Sequence, residues 1–172
     1  MAGLLPPGQA LITRRPFYAP HHTVTQAALI GGGSGIPRPG MVSLAHRGVL
    51  FLDELPEFRK NVLDGMRQPM EERKVQIARS AGMVTYPSDF ILVAAMNPCP
   101  CGYYPDRNKC RCTQPQIEKY LGKISGPILD RIDLCVELHP VDILHLQKTK
   151  TEKSSEDTVS YTHLTLPTIY SV

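Results

Sequence analysis

Apolar residues fall in short runs along the chain, and the runs end on polar groups. Val49-Leu50-Phe51-Leu52 stops at Asp53-Glu54, the pattern of a strand buried on both faces in a parallel sheet. Phe90-Ile91-Leu92-Val93-Ala94-Ala95-Met96 reads as a second buried strand ending on Asn97, and Leu134 to Leu138 as a third. Between the first two, Phe58, Val62 and Met66 recur four apart and predict a helix over 57–68 that Pro69 stops. Val75-Gln76-Ile77 alternates, Ser80-Ala81-Gly82 can turn, and Met83 to Tyr86 returns, which predicts a hairpin. Thr113 and Gln116 form a capping-box pattern ahead of Ile117, Tyr120 and Leu121. Residues 1–47, rich in proline and carrying Gly31-Gly32-Gly33-Ser34-Gly35, read as loop. Strands alternating with helices predict an α/β fold, a parallel sheet flanked by helices with an inserted β-hairpin.

Composition narrows the class only modestly. The chain has 172 residues, enough for one domain or a piece of a larger one. With 42% hydrophobic and 20% charged residues it has the balance of a packed globular domain. A net charge of +3 permits a nucleic-acid partner without requiring one. No apolar stretch approaches the ~18 residues of a membrane span, and MAGLLPPGQALITRRPF lacks the layout of a secretory signal. No membrane role and a cytoplasmic location are the expectation. Four of the five cysteines lie between positions 99 and 112, while Cys135 sits in the third apolar run and reads as a small core residue.

Candidate chemistry gathers at the ends of the runs. Open α/β sheets bind ligands at the carboxyl ends of their strands, where Asp53 would hold a hydrated Mg²⁺ and Glu54 would orient or deprotonate an attacking water. An acidic loop after a core strand is the plainer alternative. Asn97 would sit beside these acids, or serve only as a turn residue before Pro98. Arg131 has the side chain best suited to a transferring phosphoryl group, or makes a surface ion pair with Asp130 or Asp133. Cys99, Cys101, Cys110 and Cys112 supply the four thiolates of a structural zinc site. The C-x-C spacing is tighter than usual, and a set of reduced loop thiols is the alternative. Arg107, Lys109 and Arg111 interleave the second pair and could touch a phosphate backbone. His21-His22 lies in a proline-flanked loop that could adjoin a nucleotide or DNA or simply pack; as metal ligands the pair is excluded, because adjacent side chains point apart on an extended chain.

Several longer stretches together resemble one family. RRPFYAPHHT (14–23), LIGGGSGIPRPGMVSLAHRGVLFLDELPEF (29–58), MRQPMEERKVQIAR (66–79), FILVAAMNPCPCGYYPD (90–106) and KISGPILDRIDLCVELHPVD (123–142) are similar to the YifB/ComM proteins, bacterial magnesium-chelatase-like AAA+ ATPases. The resemblance implies a Walker B strand at Val49–Glu54, sensor 1 at Asn97, and an arginine finger at Arg131 that acts on a neighbouring subunit. It also implies ATP and Mg²⁺ as cofactors, a hexameric ring, a pore-directed hairpin over Val75–Tyr86, and ATP-driven DNA branch migration in natural transformation. The sequence departs from the pattern in lacking G-x-x-x-x-G-K-[ST] anywhere; Gly3 to Gly8 has the glycine spacing but runs on into Gln9-Ala10. The implied layout is an incomplete AAA+ core over 1–147, the polar start of a lid over 148–157, and a non-native tail over 158–172, the whole a fragment without turnover of its own. Two other classes stand beside the DNA motor: a chelatase-type subunit driving metal insertion, and a non-catalytic zinc-knuckle binding module.

Overall fold

The computed structural model describes residues 14–33, 37–79 and 82–138. The glycine-spaced stretch near the N-terminus, the lid start and the tail lie outside the described residues. By its contacts the chain divides into Met1–Leu134 and Cys135–Val172, and every described element belongs to the first unit.

A three-stranded parallel sheet carries the architecture. Its middle strand is β4, Val49–Leu52, flanked by β1 (Phe17–Tyr18) and β7 (Ile91–Ala94). Val49 registers with both Phe17 and Ile91, and Leu52 with Ala94. The unbroken apolar run of β4 follows from this central place: Leu50 and Leu52 are fully buried. The second run departs from expectation. Among the described strands β7 pairs on one side only, and Ile91 is 61% exposed, so in this chain it lies at the edge of the sheet rather than buried.

The helices cover the sheet. α1 (Gln26–Ile30) starts at Thr25, whose hydroxyl accepts the Ala28 N–H at 3.2 Å. α2 (Met41–Leu44) leads into β4. After β4 comes a 3-10 turn (Leu55–Glu57), then α3 (Lys60–Gly65) and α4 (Arg67–Glu72). Phe58, Val62 and Met66 are all buried, as their spacing predicts. Pro69 does not end the helix. It lies in the first turn of α4, where an N–H would have no intrahelical partner, so the ring is tolerated. α5 (Gln114–Leu121) and α6 (Gly126–Leu129) follow the cysteine segment. The capping box forms, with the Thr113 N–H donating to Gln116 Oε1 at 2.9 Å.

The predicted hairpin is β5 (Lys74–Arg79) against β6 (Gly82–Pro87), with Val75 opposite Tyr86 and Ile77 opposite Val84. Val75 and Ile77 turn into the main core while Gln76 faces out. Residues 14–47 hold more order than their composition predicts, including a two-residue hairpin of β2 (Gly31–Gly32) and β3 (Arg38–Pro39). Gly31 is required there: its φ is +120°, and a Cβ would stand 2.7 Å from Ile77 Cδ1 and 2.8 Å from the Arg38 carbonyl.

The third predicted strand does not form. Residues 134–138 carry no regular element, Leu138 is 88% exposed, and Cys135 is exposed rather than core. A strand needs a ladder partner, and no described strand pairs with this segment. Leu50, by contrast, is enclosed on every side. Leu50→Ala is expected to lower stability by about 2–5 kcal/mol, read by denaturant titration; a loss below ~1 kcal/mol would mean the sheet core is loosely packed.

Candidate nucleotide site and cysteine cluster

Because the three strands run parallel, their carboxyl ends lie along one edge of the sheet. Asp53 and Glu54 follow β4, Asn97 follows β7, and the His21-His22 turn follows β1. The register continues past β4, where the Leu55 N–H donates to the Ala95 carbonyl at 3.0 Å. Asp53 Oδ1 accepts the Glu54 N–H at 2.9 Å, which leaves its second oxygen for a metal-bound water. Glu54 has φ 52° and ψ 48°, a left-handed conformation that costs a non-glycine residue free energy. Such outliers persist where the surroundings enforce them.

His22 belongs to this edge, and its pairing with Glu54 is what the sequence could not show. Its Nδ1 lies 3.1 Å from Glu54 Oε2, and its ring meets the buried Phe58 edge-on at 6.4 Å. The two histidines do not point apart. The chain turns here, the Val24 N–H donating to the His21 carbonyl at 2.9 Å, and the rings lie against each other, tilted by 36°, with centroids 4.0 Å apart. Tyr120 is a second unforeseen neighbour. Burial and the nearby carboxylates of Glu57 and Glu54 push its phenol above the ordinary range, while the Asn97 backbone N–H acts against this by donating to it.

Arg131 is not brought to this edge. Its guanidinium donates to Glu71 at 2.6 Å and to the Pro127 carbonyl. Neither Asp130 nor Asp133, the partners expected of a surface pair, takes that place.

The four cysteines of residues 99–112 converge. Their sulfurs all lie within 4.8 Å of one another, with Cys99 to Cys101 at 3.3 Å, Cys101 to Cys110 at 3.6 Å and Cys99 to Cys110 at 3.8 Å. A tetrahedron of sulfurs about 2.3 Å from one zinc has edges of about 3.8 Å. The arrangement fits one metal ion, and the tight C-x-C pair reaches one side of it without difficulty. Backbone hydrogen bonding at Tyr103, with the Cys99 contact, lowers the Cys101 thiol to about 6. The cluster with Ile117 forms a small core of its own, separate from the main one.

Comparison with known proteins gives the chain's family. The family profile for magnesium chelatase, subunit ChlI, matches residues 2–146. The chain belongs to that family. It is 50% identical over 148 residues to the uncharacterised protein YifB of Escherichia coli, covering 85% of this chain and 28% of that protein. It is 50% identical over 136 residues to the competence protein ComM of Haemophilus influenzae, covering 79% and 26%. The 67 kDa magnesium-chelatase subunit of Chlorobaculum tepidum is 25% identical over 173 residues, covering 91% and 24%. The chain thus lies with YifB and ComM, as the motifs imply, and spans about a quarter of their length. Among the described residues no helix is long and apolar enough to cross a membrane.

Proposed function

We propose that the full-length protein is an ATP-hydrolysing AAA+ motor acting on DNA in the cytoplasm, and that this chain supplies the metal-and-water half of its nucleotide site. The observation that carries the reading is the row of strand ends, with the Asp53-Glu54 pair on the central strand and Asn97 on its neighbour. Asp53 would hold the Mg²⁺ of the nucleotide through its free oxygen; the bound ion neutralises charge on the phosphates. Glu54 would take the proton of the attacking water, and Asn97 would fix that water or the γ-phosphate. Arg131 would serve a neighbouring subunit's nucleotide in a hexameric ring.

DNA is favoured over metal insertion by the 50% identity to a competence protein against 25% to a chelatase subunit. Branch migration during natural transformation fits that relative, and the β5–β6 hairpin is the element suited to reach DNA in the ring's pore. The cysteine cluster would hold one structural Zn²⁺. DNA, rather than a porphyrin-handling partner, should stimulate turnover by the full-length protein; stimulation only by the latter would favour the chelatase reading.

Glu54→Gln in the full-length protein is expected to keep ATP binding while turnover falls by about 10²–10⁴-fold. The 172-residue chain contains no phosphate-binding loop, so by itself it should show no turnover above its own Glu54→Gln variant. Measured hydrolysis by the chain would count against this division of the site.

A further inference from the structure

His22 and Glu54 come together from opposite sides of a strand boundary. Phe17–Tyr18 and Val49–Leu52 are neighbouring parallel strands, and the residues that follow each share one edge. There His22 Nδ1 lies 3.1 Å from Glu54 Oε2. The imidazole is itself held in place. The His21 ring lies tilted against it, with centroids 4.0 Å apart, and Phe58, a buried core residue, meets it edge-on. His21 in turn is fixed by the Thr23 hydroxyl, 3.0 Å from its own Nδ1. His22 is therefore a ring with little freedom facing a carboxylate that has much.

Glu54 needs such a partner. Its side chain is 53% exposed, and a solvated glutamate samples several rotamers about its three side-chain torsions. Its backbone, by contrast, is constrained: the left-handed φ of 52° and the N–H bond to Asp53 Oδ1 fix where the side chain starts. A hydrogen bond to Oε2 fixes where it ends and leaves Oε1 available to a water. No other hydrogen bond or ion pair to the Glu54 carboxylate occurs among the described residues.

We infer that His22 is a positioning residue for Glu54, holding one carboxylate oxygen so that the other faces the attacking water. The inference rests on the reading of Glu54 as the water-activating base. A misplacement of about 1 Å in a reacting group can cost on the order of 10²-fold in rate, which sets the scale.

The test is steady-state ATP hydrolysis by the full-length protein and its His22→Ala, His22→Asn and Glu54→Gln variants. His22→Ala should lower kcat about ten- to a hundredfold with KM for ATP within about twofold of wild type. His22→Asn, whose amide nitrogen falls near the place of Nδ1, should recover most of the lost kcat. His22→Ala added to Glu54→Gln should lower turnover no further, because there is then no base to position. An unchanged or raised kcat in His22→Ala would overturn the assignment, a rise meaning that the pair restrains Glu54. So would a loss that His22→Asn does not repair, since that is the mark of a packing role. If wild type and Glu54→Gln turn over equally, the reading of Glu54 itself has failed, which is a separate and recognisable outcome.

Discussion

Arg131→Ala in the full-length protein is expected to lower ATP turnover by about 10³–10⁵-fold, with nucleotide affinity close to wild type. Both halves of that expectation follow from the proposed role in a neighbouring subunit. Arg131 touches none of Asp53, Glu54 or Asn97 and is bound within the chain to Glu71 and the Pro127 carbonyl. A residue so placed is away from its own subunit's strand-end carboxylates, as the proposed finger for a neighbouring subunit's nucleotide would be. Leaving Glu71 is cheap. Glu71 is 65% exposed, and ion pairs with an exposed partner contribute about 0–1 kcal/mol, against about 4–7 kcal/mol for the rate factor. Mixing Arg131→Ala with Glu54→Gln protein should restore part of the turnover, because some interfaces then pair an intact finger with an intact base. Normal turnover of Arg131→Ala alone, or no recovery on mixing, would remove the arginine from this role.

What could be read from the sequence was whatever depends on neighbours along the chain. Val49–Leu52 is apolar throughout, with Leu50 and Leu52 fully buried and Val49 and Phe51 half-buried, so it has no polar position to disguise it. Phe58, Val62 and Met66 are all buried as their spacing predicts, although only Val62 lies inside a helix, and Thr113 with Gln116 marks a helix start. What escaped depends on neighbours in space. An apolar run does not state whether a second strand lies beside it, so β7 read as buried although Ile91 and Val93 are exposed, and Leu134 to Leu138 read as a strand although no described strand pairs with it. Phe17–Tyr18 is too short to register as a strand. Without it no sheet order places His22 beside Glu54, and two histidines in a proline-flanked loop stay without a role. Arg131 shows the same limit: its partner lies 60 positions away, whereas the sequence offered only Asp130 and Asp133. The cysteines were legible by count and clustering, because four ligands must be close in space and closeness in sequence makes that easy.

Purified protein should carry about one zinc per chain, the content of a closed four-thiolate site. Structural zinc binds peptides of this kind with on the order of 10 kcal/mol of apparent free energy, most of it expressed as folding. The segment 99–112 has little else to hold it. Its buried cluster comprises Cys99, Cys110 and Ile117, with Tyr104 and Cys112 packed beside them, so three of its five members are the sulfurs themselves. Cys110→Ser should therefore lose the metal and expose backbone amides over 99–112 to rapid hydrogen exchange. Protection of β4 should survive, because Leu50 and Leu52 belong to the separate main core. Cys135→Ser should leave metal content unchanged, since Cys135 lies outside the cluster. Cobalt in place of zinc should give the visible absorption of tetrahedral thiolate coordination in wild type and lose it in Cys110→Ser. Reduced, metal-free protein that takes up neither zinc nor cobalt would show that the four thiols merely pack together. The separations of 3.3–3.8 Å among the Cys99, Cys101 and Cys110 sulfurs would then need another cause.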